Sequence, residues 1–342
     1  DHFIPNLHNG AECPLCPKEN GVLIECVDAC FGLARKKNNN EMSIAPRHGT
    51  LLFSDQDDVD NYVNNYHMKP GKTSVQDCNR FHAGEVLPAL RSKGKNDLFD
   101  EKGVFGRVCR HDFPKSFLNI KHGERISYSV YELENLRSEA SSKNLKIVLM
   151  YDIACILSNH LISSNRDDLL DGVNLSIPIF HCYGHKASCQ IKYSPRRSKN
   201  VGLTDGEGVE RLWSFMRQFA KVTKEMSIDK RTDVLTDAAV HYGEHLFKRF
   251  GVSLKVKHDK ATSLGITVNS EIEDLLSKLP SDVTKETVRQ WLDKEMSEVI
   301  PQEGLNVYEW DECYVELLLE KKQLRNEIRY AREEEPERVA CL

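Results

Sequence analysis

The chain has 342 residues, 40% of them hydrophobic and 29% charged, with a formal net charge of −5. This is the composition of a globular protein with room for one large or two ordinary domains. No apolar run approaches a membrane span and no N-terminal segment reads as a signal peptide, so no membrane partner is expected. The acidic balance argues against a chain that is basic overall. It leaves nucleic acid open as a partner, because a local basic surface is enough. The 11 cysteines, often beside His or Asp, fit a reducing compartment with some thiols on metal better than a disulfide framework. A start at Asp1 rather than Met is what a fragment lacking N-terminal modules would show.

Residues 1–20 are loop-like and hold Cys13-Pro-Leu-Cys16, half of a zinc site or a redox pair. In 21–35, Val22, Leu23, Ile24, Cys26 and Val27 form the nearly continuous apolar run of a strand covered on both faces. Asp28 interrupts it. A carboxylate there costs several kcal/mol unless it is paired, hydrogen-bonded, metal-bound or a turn cap at the strand end. Residues 36–102 are rich in Asn, Asp, Lys and Gly and read as an insertion, with helix around 56–66 and 80–91. GVFGRVCR predicts a strand, SFLNIKHGERISYSV its partner, and VYELENLRSEASSKN an amphipathic helix with Val130, Leu133 and Leu136 on one side. The clearest strand is Ile147 to Tyr151, and Asp152 follows it directly. A helix at 154–163 and a strand at 175–182 come next.

The densest chemistry lies in 181–213, HCYGHKASCQIKYSPRRSKNVGLTDGEGVERLW. His181, Cys182, His185 and Cys189 are zinc-ligand types, and Cys13 and Cys16 would complete a site with His185 and Cys189, or with His181 replacing one. His111 reads as a structural histidine instead. Four bases follow, Lys192, Arg196, Arg197 and Lys199, suited to phosphate contact or to a solvated loop. Val209, Leu212, Trp213, Met216, Phe219 and Ala220 then recur at helical spacing, with Thr204 or Asp205 as N-cap. Glu207 and Glu210, three apart, share the face opposite that stripe. Such a helix after a basic loop suits a divalent cation held against a phosphate; the plainer reading is a capped surface helix. Beyond 220 the chain is helical: a helix from a Ser227 cap, two shorter ones in 270–299 broken near Pro280, and a charged association helix at 307–335.

The sum is an α+β mixed sheet with helices packed on it. Its element order is similar to that of the ribonuclease-H-like fold, whose first and fourth strands are neighbours. That adjacency would set Asp28 beside Asp152, and the later helix would add its glutamate. Two divalent metals about 3.5–4 Å apart would resolve the repulsion among three such carboxylates. The expected division is a core of 11–35 and 103–226, the insertion 36–102, and a helical region 227–342.

The ordered string CPLCP, VDACFGLARKK, GRVCRH, GERISY, YDIAC, FHCYGHKASCQ and DGEGVERLWS, across about residues 11–250, resembles the Kyakuja–Dileera–Zisupton transposases. YDIAC and GEGVERLWS are its specific motifs. The resemblance implies a DNA transposase with an Asp-Asp-Glu core: Asp28 and Asp152 on Mg²⁺ or Mn²⁺, with Glu207 favoured over Glu210 as the third acid. It implies transposon-end and target DNA as partners, homo-oligomers and a nuclear location. The family's Asp-Gly-Asn-Phe is Asp28-Ala29-Cys30-Phe31 here, which spares the aspartate. A proofreading-type exonuclease wants an acid where Cys30 stands. A catalytically silent, domesticated copy that binds DNA or protein is the alternative, and a purely structural zinc module would leave the two strand-end aspartates unexplained.

Overall fold

The apolar run expected near the N-terminus forms β1 (Val22–Cys30), and the other strands assemble around it. The computed structural model describes residues 12–37, 45–66, 98–123 and 125–299. After β1, β2 (Arg35–Lys36) pairs with β3 (Phe99–Glu101) in a separate two-stranded ribbon. Between them, α1 (Gln56–Asn65) starts at Asp55, whose carboxylate accepts the N–H groups of Asp57 and Asp58. The hairpin of β4 (Gly103–Cys109) and β5 (Pro114–Ile120) is followed by α2 (Ile126–Ser141), β6 (Lys146–Tyr151), α3 (Ala154–Ser163) and β7 (Val173–Ser176). Then come α4 (Ile179–Cys182), α5 (Ala187–Tyr193), α6 (Gly208–Met216), α7 (Ala220–Thr223), α8 (Ile228–Ser277) and α9 (Lys285–Val299).

The main sheet has five strands in the order β5-β4-β1-β6-β7. β1 is antiparallel to β4 and parallel to β6, and β6 is parallel to β7. This is the mixed sheet with helices that the sequence predicts. The chain divides into one unit of Asp1–His185 and Tyr193–Ser281 and a second of Lys186–Lys192 and Asp282–Leu342. In the second, Thr284 and Thr287 exchange side-chain and main-chain hydrogen bonds at the start of α9.

Several boundaries differ from expectation. The strand expected at 175–182 ends at Ser176, and Ile179–Cys182 is a helical turn. Pro178 between them offers no N–H to a ladder and fixes a φ that starts a helix. ISYSV, expected in a strand, opens α2 instead: its alternation is overridden because Tyr128, Val130, Leu133, Leu136 and Ala140 are all buried along one helix. The first of the two helices expected in 270–299 is the end of the 50-residue α8, although the break at Pro280 is where it was expected. The helices expected at 80–91 and 307–335 lie outside the described residues.

The two faces of the sheet are held differently. On one, Val209, Leu212, Trp213 and Met216 of α6 pack with Ile24, Cys26, Val108, Val148 and Met150. On the other, Arg107 is buried among Glu25 at 2.6 Å, Glu132 at 3.0 Å and Glu139 at 2.6 Å. Burial opposes the Arg107 charge, but these carboxylates outweigh it and hold it protonated. The start of α8 is tied down by Arg231, fully buried, which donates to Asn119 at 2.6 Å and to the Leu33 carbonyl at 2.7 Å and pairs with Glu101 at 2.7 Å.

Gly106 is what lets Trp213 lie on the sheet. A Cβ there would meet the indole Cη2 at 2.5 Å and Phe117 Cδ1 at 2.9 Å. Gly106→Ala is therefore expected to cost about 1–3 kcal/mol by overpacking, seen as a lower urea midpoint at unchanged slope. A wild-type midpoint would show that the core yields at this point.

Candidate metal centre

β1 and β6 run parallel with Val27 opposite Tyr151. Asp28, two residues before the end of β1, and Asp152, the turn residue that follows β6, are each the next residue after that pair and so stand at matching levels, and both are half-buried. Side chains alternate along a strand, so Asp28 shares its face with Cys26 and Cys30, which belong to the core beneath α6. Asp152 Oδ1 accepts the N–H of Ile153 at 2.7 Å where the chain turns into α3.

Glu207 reaches this region from the residue before α6. Gly206 has φ +84°, and a Cβ there would lie 2.8 Å from Met150 and 2.9 Å from Pro178, so only glycine fits this turn. The left-handed residue delays the helix: the N-cap position falls on Glu207 rather than on Thr204 or Asp205. Asp205 still acts at this end, since its Oδ1 accepts the Glu207 N–H at 3.1 Å. Glu207 Oε1 accepts the N–H of Phe180 at 3.0 Å, and Oε2 lies 3.4 Å from His181 Nδ1, an ion pair without hydrogen-bond alignment. Glu207 raises the His181 pKa, burial opposes this, and the charges of Asp152 and Glu210 add to the rise. Acids from two separate stretches of the chain thus act on one imidazole. Glu210 is 39% exposed and lies 3.9 Å from Arg217 at the C-cap of α6.

The start of α6 is clamped by Arg211, which donates through Nε and Nη2 to Asp112 at 2.7 Å each and through Nη1 to Asp205 at 2.9 Å. Burial works to raise the Asp205 carboxyl, but Arg211 outweighs it and holds the group below the usual carboxylate range. Asp112 has φ 65° in the turn between β4 and β5, closed by its own N–H to the Cys109 carbonyl at 2.8 Å.

That same turn carries a second cluster. His111 Nδ1 lies 3.5 Å from Cys13 Sγ, 3.7 Å from Cys16 Sγ and 3.7 Å from Cys109 Sγ. All four ligand atoms fall within 4.8 Å of one another. Hydrogen bonds from Cys109 and Cys16 push the Cys13 thiol down, while burial above all pushes Cys109 up. These four side chains could hold a structural metal ion. The set differs from the expected one: Cys13 and Cys16 meet Cys109 and His111, so His111 stands among ligand-type side chains. His181 faces Glu207, His185 Nδ1 lies 3.6 Å from Cys155 Sγ, and Cys189 is a buried residue of α5. The signal was present in the sequence: Cys109-Arg-His111 is a close ligand pair that matches Cys13-Pro-Leu-Cys16.

Among the basic residues, Arg196, Arg197 and Lys199 are exposed on the 194–200 loop, and Lys192 is exposed on α5. Arg196 Nη1 donates to the carbonyls of Gly202 at 2.9 Å and Thr204 at 3.2 Å, so it braces the loop leading to Glu207. Arg217 was not singled out from the sequence. Burial raises the thiol of Cys30, two residues beyond Asp28, and Arg217 works against that rise.

A family model described as Kyakuja-Dileera-Zisupton transposase matches residues 22–242. Among curated proteins, a lipoyl synthase of Baumannia cicadellinicola subsp. Homalodisca coagulata is 22% identical over 235 residues, covering 63% of this chain and 69% of that protein. No solved structure matches.

Removing the clamp with Arg211→Ala is expected to cost about 1 kcal/mol, because the pairs are charge-assisted but partly solvated. It should also speed amide hydrogen exchange across residues 205–210. Unchanged exchange there would mean that Arg211 does not hold the glutamate loop.

Proposed function

The chain belongs to the Kyakuja-Dileera-Zisupton transposase family, and we propose that it cleaves and joins DNA phosphodiesters at a divalent-metal centre on a ribonuclease-H-like sheet. What supports this reading is the register of β1 against β6, which sets Asp28 level with Asp152, the residue after β6, while α6, packed on the same sheet, has Glu207 just before it and Glu210 in its first turn. The strand order agrees with it: the main sheet's first strand is central, antiparallel to the second and parallel to the fourth.

The donor chemistry fits Mg²⁺ or Mn²⁺, which take oxygen ligands from carboxylates. Asp28, Asp152 and Glu207 would hold the cation. When bound it would make water or a 3′-hydroxyl a stronger nucleophile and offset charge on the leaving oxygen. Glu207 is the better third acid because the Phe180 amide and His181 fix its carboxylate, whereas Glu210 is more exposed and turned toward Arg217. Arg217, Arg197 and Lys199 would contact phosphates, which supplies salt-dependent affinity with little sequence information. Arg196 serves by bracing the loop.

Cys13, Cys16, Cys109 and His111 would hold a structural zinc. Zn–S of about 2.3 Å and Zn–N of about 2.0–2.1 Å in a tetrahedron imply S···N edges of about 3.6 Å, close to the 3.5 and 3.7 Å found. Zinc would crosslink the segment before β1 to the β4–β5 turn, and so steady Asp112 and the α6 clamp. A nuclear location and self-association go with action on chromosomal DNA.

Asp28→Asn and Asp152→Asn are each expected to lower Mn²⁺-dependent DNA cleavage by about a hundredfold or more while melting like wild type. Glu207→Gln should act likewise, and Glu210→Gln should lose about tenfold or less. Wild-type cleavage by Asp152→Asn would reject the centre, and a wild-type protein that binds DNA without cutting would favour the silent copy. Metal analysis should find about one zinc per chain, lost in Cys109→Ser. A zinc-free wild-type protein of full stability would remove that site.

A further inference from the structure

Two large aromatic side chains stand in solvent beside the acidic cluster. Phe180 is 77% exposed and Tyr183 is 72% exposed, although the apolar residues around them in sequence, Ile177 and Cys182, are buried. They lie three apart on the helical turn of α4 and its C-cap, so they share a side. The turn is fixed in place: Ile179 N–H bonds the Asp205 carbonyl at 2.8 Å, Cys182 N–H bonds the Pro178 carbonyl at 2.9 Å, and Pro178 packs on Gly206. The Phe180 ring lies 6.3 Å from the ring of His181, edge to face, and the Phe180 amide donates to Glu207 itself.

We propose that Phe180 and Tyr183 form a stacking platform for an unpaired nucleobase flanking the phosphate at the metal centre. The inference rests on the function proposed above and adds to it a preference for DNA that is single-stranded or frayed at the reacting bond. The surface beside Glu207 and Asp152 repels phosphate wherever cations do not offset it, so an aromatic pair there has the flat, uncharged face of a base to receive. Every base has such a face, which makes the contact tolerant of sequence. A base still paired within a duplex cannot present it, so unpairing must come first.

The test compares the full chain with a Phe180→Ala/Tyr183→Ala double variant and with Phe180→Trp. Binding in Ca²⁺ would be measured to an oligonucleotide duplex with an unpaired 3′ tail containing 2-aminopurine, and to the same duplex fully paired. The wild type and Phe180→Trp should quench the 2-aminopurine. The double variant should lose the quench and about tenfold in affinity for the tailed DNA, while its affinity for paired DNA stays within about twofold. Wild-type affinity and quenching in the double variant would overturn the proposal. So would a wild type that never quenches, or a double variant changed only in self-association by light scattering, which would make the patch a protein contact. Mn²⁺-dependent cleavage by the same wild-type preparation reads the catalytic proposal separately.

Discussion

The pairing of β1 with β6 is the constraint on which the other features depend. Its register puts Val27 opposite Tyr151, and this alone brings Asp28 level with Asp152 across 124 residues of sequence (152 − 28). A slip of one residue would turn every β1 side chain to the other face, sending Asp28 away from α6 and Cys26 out of the core. The register is secured because β1 carries buried residues toward both faces. Ile24, Cys26 and Cys30 join the core under α6, while Glu25 meets Arg107 on the other side. No shifted pairing satisfies both sets. Asp28 then sits half-buried within β1 and Asp152 half-buried directly after β6, where a mobile loop would hold them only loosely.

The turn between β4 and β5 is the second organising point. His111 and Cys109 face Cys13 and Cys16, Asp112 grips Arg211 of α6, and Phe113 packs on Gly243 and Phe250 of α8. One short turn therefore links the segment before β1, the helix that follows the glutamate, and the long helix behind it. In the reading proposed here, zinc acts at a distance from the chemistry, by fixing the direction from which Glu207 approaches. The aromatic pair of α4 belongs to the same arrangement, because the Phe180 amide completes the hold on that carboxylate.

Much of this architecture was legible because the strands are short apolar runs punctuated by single acids. The runs ending at Asp28 and Asp152, the helix at 154–163 and the apolar stripe of α6 all follow from local pattern. What local pattern missed was set by single residues or by distant partners. Pro178 turned an apolar strand-like stretch into a helical turn, and left-handed Gly206 moved the start of α6 past Glu207. The partners of Cys13 and Cys16 lie 98 and 95 residues away at His111, a distance over which spacing rules carry no information. His181 and His185 were nearer the other ligand types in sequence, and were drawn to Glu207 and Cys155 instead. The length of α8 was hidden because its residues beyond 250 are mostly exposed and polar, so no core stripe marks them.

The central claim is that Asp28, Asp152 and a glutamate at the start of α6 share one cation. Anomalous diffraction from crystals of the wild-type chain grown with Mn²⁺ tests it most directly. The account predicts manganese density bounded by the carboxylates of Asp28 and Asp152, with Glu207 the nearest group from α6. Manganese bound elsewhere, with none between those two strand ends, would contradict it.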